Sequence, residues 1–185
     1  MMQLGVADFP VIAGTDRAPQ WPDALVGSIT HTKGYTAAVV AERRHFHGLG
    51  VDVETIDRVT PELWPQICTP GELALLDRLP RPQRARMGAL VFSAKEAFYK
   101  CQYAVTRQWV GFSDVAIECA ALQAGSGAFV VRPLKPLLIA VDSGAQQDFQ
   151  LAGRFRTDGA LVFTGIAIPF AQLTRESSSG EPELR

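Results

Sequence analysis

The sequence contains few cysteines, no long hydrophobic run and no excess of either charge. Its three cysteines, Cys68, Cys101 and Cys119, are odd in number and lack Cys-x-x-Cys spacing, so they predict reduced core thiols in a cytoplasmic protein. No apolar stretch approaches the roughly 18 residues that a membrane span requires. Residues 1–5 carry no secretory signal pattern. The net charge of −1 predicts neither a nucleic acid nor an anionic membrane as partner.

The remaining composition is that of an ordinary globular protein. The chain has 185 residues, of which 47% are hydrophobic and 20% charged, as expected for one domain or for two small lobes that share a core. Strand-like and helix-like segments alternate in blocks, which predicts the α+β class. The polar tail over residues 174–185 is expected to be disordered.

The first part of the chain predicts turns and short strands. Glycine and proline interrupt residues 1–27, where only residues 6–12 suit a short strand. Apolar runs over residues 35–40 and 49–56 have strand length, and we expect them to pair as a hairpin across the charged turn at residues 42–47.

Helices are predicted in the middle of the chain. Residues 61–68 suit a short helix, and the pattern of Thr69, Pro70 and Glu72 predicts the start of a second helix over residues 71–79. A long central helix is predicted from residue 83 to about residue 103. Its apolar residues recur at helical spacing on one face, namely Met87, Leu90, Val91, Ala94, Phe98, Cys101 and Val105.

Beyond Gly111 the hydrophobic period shortens toward two, which predicts four strands. We place them at residues 115–118, 128–131, 150–156 and 161–168. Thr157, Asp158 and Gly159 are expected to form a hairpin turn between the last two, because Asp-Gly supplies the positive φ that such a turn requires.

Two carboxylates lie in the otherwise apolar stretch from Gly50 to Glu54. On a strand, Asp52 and Glu54 leave the same face. Such a pair either binds a metal ion or belongs to a solvated strand edge, and the pattern alone does not decide between the two.

A stripe of aromatic and charged residues marks the central helix, away from its apolar face. It comprises Phe92, Glu96, Tyr99, Lys100 and Tyr103, with Lys95 beside it. An exposed Glu–Lys pair would be worth only about 0.3–0.5 kcal/mol, whereas flanking aromatic residues are more typical of a cleft that binds a ligand.

Two other cationic positions precede these acids. His31 is either a turn histidine or a phosphate donor, with the hydroxyl of Thr30 nearby. Arg17 lies in a loop constrained by glycine and proline. His45 and His47 lack the cysteine or acid spacing of a zinc site.

Taken in order, these stretches resemble the 4′-phosphopantetheinyl transferases of the enterobactin/surfactin type. The likeness covers about residues 5–168. It is carried by Gly14-Thr15-Asp16-Arg17-Ala18-Pro19-Gln20-Trp21-Pro22, Gly27-Ser28-Ile29-Thr30-His31, Gly50-Val51-Asp52-Val53-Glu54, the stretch from Phe92 to Lys100, and the turn from Trp109 to Phe112.

The resemblance implies a fold and a reaction. The fold is a pseudo-two-fold pair of α+β lobes with coenzyme A between them, here an incomplete N-terminal lobe over residues 1–82 and a second lobe over residues 83–173. The reaction moves the phosphopantetheine arm of coenzyme A to a serine of an apo acyl- or peptidyl-carrier protein and releases 3′,5′-ADP. The expected protein is a Mg²⁺-dependent monomer.

The resemblance also implies a role for each candidate residue. Mg²⁺ would be held by Asp52, Glu54 and Glu96. Contacts to the phosphates and the nucleotide would come from Arg17, Thr30, His31 and Lys95. Glu96 would also serve as the base for the carrier serine, and Lys100 would support the reacting phosphate or the proton transfer.

Two departures from the family leave other hypotheses open. Ala97 stands where many members have serine. Members usually carry a longer N-terminal segment with basic residues for the 3′-phosphate, so a non-catalytic relative that binds coenzyme A or a carrier protein is the alternative. A metal-dependent nuclease ranks third, because its acid-x-lysine spacing and a basic footprint are both absent.

Overall fold

The computed structural model describes residues 4–6, 8–119, 125–137 and 150–170. Strands and helices follow one another in three blocks, which confirms the predicted α+β class. The elements are β1 (Leu25–Thr32), β2 (Tyr35–Glu42), β3 (Phe46–Thr55), α1 (Trp64–Ile67), α2 (Pro70–Arg78), α3 (Arg81–Thr106), β4 (Val115–Cys119), β5 (Ser126–Pro133), β6 (Leu151–Asp158) and β7 (Leu161–Pro169). None of the helices described is long and apolar enough to cross a membrane.

The strands form two antiparallel sheets. One is the two-stranded β1–β2 hairpin, and the other has five strands in the order β3-β7-β6-β5-β4. The predicted hairpin between β2 and β3 is therefore wrong. Gly34, with φ of 78°, makes the tight turn from β1 into β2, and β3 pairs with β7 from the far end of the chain.

β1, which the sequence reasoning did not identify as a full strand, lies beside β3 without pairing to it through the backbone. The Val51 amide donates to Ser28 Oγ at 3.1 Å, and the Val53 amide donates to Thr30 Oγ1 at 3.1 Å. Two side-chain hydroxyls thus satisfy backbone donors at the outer edge of β3. This arrangement places Thr30 next to the stretch that carries Asp52.

The long helix α3 crosses β3 and β7 and forms the centre of the core. The predicted central helix is confirmed, with a few more residues at each end. Its apolar face is buried as expected: Leu90, Ala94 and Phe98 are at most 1% exposed. Full burial of a side chain such as Phe98 contributes about 1.5–3 kcal/mol, so this face fixes α3 against the sheet.

Other predicted elements are confirmed with small shifts of their ends. Thr69 and Glu72 form a reciprocal capping box at the start of α2, in which Glu72 Oε2 accepts from the Thr69 amide at 2.6 Å. The four predicted late strands correspond to β4–β7, and Gly159 adopts φ of 57° in the β6–β7 turn. The predicted helix over residues 61–68 is only the four-residue α1.

Three predictions concern the organisation of the chain. The lobe boundary at residue 82 stays a prediction, and β3, which precedes that residue, belongs to the sheet that the last strands build. No strand forms over residues 8–12, although Ala13 bridges to Pro19. The tail over residues 174–185 lies outside the described residues.

Candidate active site

The crossing of α3 over β3 brings two lines of charged residues together. Asp52 and Glu54 lie on β3, and Glu96 and Lys100 lie one helical turn apart on α3. Asp52 is 5% exposed, and its Oδ1 accepts from Lys100 Nζ at 2.7 Å and from Thr30 Oγ1 at 3.1 Å. The predicted division of the site between strand and helix agrees with this geometry.

The other oxygen of Asp52 has a different environment. Asp52 Oδ2 is buried and accepts no hydrogen bond within the part of the chain that the structure describes. Leaving a buried acceptor without a partner is costly, so such an atom indicates a missing ligand. A divalent cation bound to Asp52 Oδ2 would be such a ligand.

The two neighbouring acids are electrostatically coupled to Asp52. Burial, followed by the charge of Asp52, raises the pKa of Glu54 from 4.5 to about 7, against the opposing charges of Arg58 and Lys100. Burial, followed by the charge of Asp52, raises the pKa of Glu96 above its usual range. When acids raise one another's pKa in this way, a bound cation stabilises their charged forms and lowers their pKa values again.

The donor set therefore fits Mg²⁺, which takes a few carboxylates and keeps oxygen positions for water and phosphate. The side chains do not form a complete coordination shell. Among the residues described, no three His, Cys, Asp or Glu side chains converge closely enough to hold a metal ion. The Lys100 ammonium lies on Asp52 Oδ1 instead.

Thr30 and His31 leave opposite faces of β1. The Thr30 side chain is buried, and its hydroxyl accepts from Val53 while donating to Asp52. The Thr30 hydroxyl thus holds the Asp52 carboxylate rather than facing solvent, and its contact with a phosphate stays a prediction. The His31 side chain is exposed, as strand alternation requires, and the structure does not bring it into contact with the acids.

The loop that carries Arg17 is fastened to the C-terminal end of α3. Asp16 Oδ2 accepts from Arg107 Nη1 at 2.9 Å and from the Tyr103 hydroxyl at 3.2 Å. Arg17 itself is exposed and has φ of 65°, and its amide donates to the Gly14 carbonyl. The structure thus places Arg17 near the helix of the acids but not among them.

Lys95 does not occupy the position that the family resemblance implied. Its side chain is 1% exposed, and Nζ donates to Glu72 Oε2 at 2.7 Å, to the Ile67 carbonyl at 2.9 Å and to the Phe112 carbonyl at 2.8 Å. An ammonium has three N–H groups, and all three are used. Its contact with a phosphate stays a prediction, and these three hydrogen bonds leave no N–H group for it.

A cavity of about 250 Å³ lies beside Glu96. Its walls are largely aromatic and apolar and include Tyr99, Trp109, Val110 and Phe112. The rings of Tyr99 and Trp109 meet edge-on at 5.3 Å, and Trp109 remains 77% exposed. The aromatic stripe of α3 predicts a ligand-binding cleft, and Glu96 and Tyr99 of that stripe line this cavity. Sequence reasoning missed that the turn from Trp109 to Phe112 forms the facing part of its wall.

The class of protein is defined by a helix that crosses an antiparallel sheet, with three acids and a lysine at the crossing. The chain belongs to the 4′-phosphopantetheinyl transferase superfamily, whose sequence model matches residues 48–152. A second model, the 4′-phosphopantetheinyl transferase N-terminal domain, matches residues 1–41. The predicted family is confirmed, and its enzymes transfer the phosphopantetheine arm to carrier proteins.

Individual relatives support the same assignment. The chain is 34% identical over 170 residues to the 4′-phosphopantetheinyl transferase PptT of Mycobacterium tuberculosis, covering 90% of this chain and 72% of the relative. It is 30% identical over 178 residues to the transferase Svp of Streptomyces mobaraensis, covering 96% and 70%. Enterobactin synthase component D of Salmonella typhi is 37% identical over 102 residues, which cover 54% of this chain and 41% of the relative.

A solved structure supports the fold alone. The holo-[acyl-carrier-protein] synthase of Thermotoga maritima superposes with a TM-score of 0.51 at 20% identity, covering 66% of this chain and 63% of that chain.

Proposed function

We propose that this chain transfers the phosphopantetheine arm of coenzyme A to a serine of an apo acyl- or peptidyl-carrier protein, with Mg²⁺ as cofactor and 3′,5′-ADP as the released product. The supporting observation is Asp52, whose buried Oδ2 has no partner among the described residues, beside two carboxyl groups of raised pKa.

Asp52, Glu54 and Glu96 would hold the metal ion. The bound ion would supply charge neutralisation for the pyrophosphate of coenzyme A. Lys100 then has two roles. Its ammonium donates to Asp52 Oδ1 at 2.7 Å, and its side chain is 28% exposed, so it is also accessible to an anionic substrate.

Glu96 is the proposed base. In the reaction, the carrier serine oxygen bonds to the phosphorus that bears the pantetheine arm, the bond to the 3′,5′-ADP oxygen breaks, and the serine proton goes to Glu96. A positioned carboxylate is an ordinary general base, and Glu96 lies where α3 crosses β3, on the wall of the cavity.

The remaining contacts to substrate are assigned by position. The cavity beside Glu96 has aromatic and apolar walls that suit the flexible arm of coenzyme A. His31 at the end of β1 would contact a phosphate, and Arg17 would reach the nucleotide. Both side chains are exposed and accessible to a ligand.

The cellular setting is part of the proposal. Three cysteines without Cys-x-x-Cys spacing suit a reducing cytoplasm. The relative named enterobactin synthase component D favours carriers of siderophore or other secondary-metabolite synthesis, including polyketide and nonribosomal peptide assembly. We propose that the chain acts there as a monomer.

The test is to incubate the chain with coenzyme A, Mg²⁺ and an apo carrier protein and to weigh the carrier by mass spectrometry. We expect a mass gain of one phosphopantetheine group, lost in Asp52→Ala and strongly slowed in Glu96→Gln. Glu118→Gln is the matched control, since this exposed acid lies on β4, away from Asp52 and Glu96, and pairs with Arg132.

Three results would revise the proposal. No mass gain despite measurable binding of coenzyme A would favour a non-catalytic relative. A gain that survives Asp52→Ala would contradict the metal site. Near-normal turnover of Glu96→Gln at saturating Mg²⁺ would remove the base assignment.

A further inference from the structure

Lys95 is the largest fully buried side chain of the part of the chain described. Its ammonium joins three separate segments to α3, namely the end of α1 through the Ile67 carbonyl, the start of α2 through Glu72, and the turn before β4 through the Phe112 carbonyl. Each hydrogen bond is between 2.7 and 2.9 Å long.

Glu72 completes the network from the other side. Its Oε2 accepts from the Thr69 amide as well as from Lys95, and its Oε1 accepts from the Ile117 amide of β4 at 2.7 Å. The side chains of Lys95 and Glu72 are 1% and 4% exposed. Every charge in the network therefore has good partners, and the pair is linked to the backbone of α1, of the start of α2, of β4 and of the turn before β4.

Stability alone does not explain such a pair. Replacing a buried ion pair by apolar residues of similar volume is often neutral or stabilising, because two charges must be desolvated. The network does, however, hold the Phe112 backbone at a fixed distance from α3. Phe112 lines the cavity, and its ring lies 5.6 Å from that of Phe92 on the helix.

We propose that Lys95 is a positioning residue of the transferase. Its ammonium holds the segment from Val110 to Phe112 against α3 and so sets the width of the cavity that takes the pantetheine arm next to Glu96. This inference rests on the proposed function, and it differs from a phosphate contact by Lys95 because all three N–H groups are already donated.

The test compares two ligands that differ by the arm. The double variant Lys95→Met/Glu72→Gln removes both charges while nearly keeping the volume. We expect its affinity for coenzyme A to fall by about tenfold or more, since a small displacement of a positioning wall is costly. Its affinity for 3′,5′-ADP, which lacks the arm, should not change. Calorimetry measures both affinities.

A matched control removes another buried polar pair from α3. Ser93 Oγ and Thr164 Oγ1 are 2.8 Å apart and link the helix to β7, away from the cavity wall. Ser93→Ala/Thr164→Val should bind both ligands as the unchanged chain does. A selective loss of coenzyme A affinity in this control as well would overturn the proposal.

Two outcomes for the Lys95 variant would also overturn it. An equal loss of affinity for both ligands would indicate a phosphate contact or general loosening, and unchanged affinity in a folded variant would show that the network does not position the wall. If the unchanged chain itself binds coenzyme A but transfers nothing, the proposed function fails while this inference stands.

Hydrogen exchange on the unchanged chain gives a readout that does not depend on the folding of a variant. Coenzyme A should slow exchange at residues 110–112 more than 3′,5′-ADP does. Equal protection by the two ligands would contradict the placement of the arm against this wall.

Discussion

Gly50 is the point where β3 and α3 approach most closely at the site, and a methyl group there should separate them. A Cβ at Gly50 would lie 1.8 Å from the Ala97 carbonyl oxygen and 2.8 Å from its carbon, whereas ordinary contacts begin at 3.4 Å. The obstacle is helix backbone, which cannot rotate aside as a side chain can. Gly50→Ala therefore requires the two elements to move apart by more than an ångström.

The expected cost has two components. Overpacking of a core costs about 1–3 kcal/mol, which chemical denaturation would measure. The second component is catalytic, because Ala97 directly follows Glu96 and Gly50 lies two residues before Asp52. A displacement of about 1 Å between groups that act together can cost about 100-fold in rate. We expect a loss of this size in arm transfer, measured as carrier mass against time.

Gly165→Ala is the matched control. Gly165 pairs with Val51 in the β3–β7 register, one residue from Gly50, but its Cβ would meet only Val51 Cγ1 at an ordinary 3.8 Å. This variant should keep both stability and activity. If Gly50→Ala retained the activity and stability of the unchanged chain, the close packing of α3 on β3 would not set the geometry of the site.

Three further predictions follow from contacts around the site. Because the pKa of Glu54 is raised from 4.5 to about 7 in the folded chain, its proton favours folding. Without added metal, the protein should lose that stabilisation as the pH rises from 4.5 to about 7, while its affinity for Mg²⁺ rises over the same range. Denaturation and metal titration, each repeated at a series of fixed pH values, measure the two trends. Glu54→Gln should remove the pH dependence of both. Thr69→Ala removes a capping-box hydroxyl and should lower the free energy of unfolding by about 1 kcal/mol, while kcat of the folded variant stays unchanged. A fall in kcat under conditions where the variant is fully folded would contradict a purely structural role for this cap. Asp16→Asn weakens the contact to Arg107 and should reduce affinity for 3′,5′-ADP by freeing the loop of Arg17; unchanged affinity in calorimetry would remove Arg17 from the nucleotide site.

The parts of the fold that depend on local pattern could be predicted from the sequence. The spacing of Leu90, Ala94 and Phe98 predicts α3, and its burial is confirmed. The alternation of Asp52 and Glu54 places both acids on one face of β3 for the same reason, since side-chain direction on a regular element follows from position alone.

Contacts between distant segments could not be predicted. β3 pairs with β7 rather than with its neighbour β2, and nothing in either apolar run specifies its partner. Lys95 adjoins Glu96 in sequence, yet successive helix residues point about 100° apart, and its partner Glu72 lies 23 residues away. Identification of this buried pair requires the packing of α1, α2 and β4 around the helix.

The central claim is that Asp52, Glu54 and Glu96 together hold Mg²⁺ for the transfer. The most direct measurement is a calorimetric titration of Mg²⁺ into the chain with coenzyme A bound, compared with Asp52→Asn. We predict one bound ion, with affinity about tenfold or more weaker in the variant, because a charged ligand to the metal is replaced by a neutral amide. Equal affinity in the two proteins would show that the ion binds elsewhere and would contradict the account.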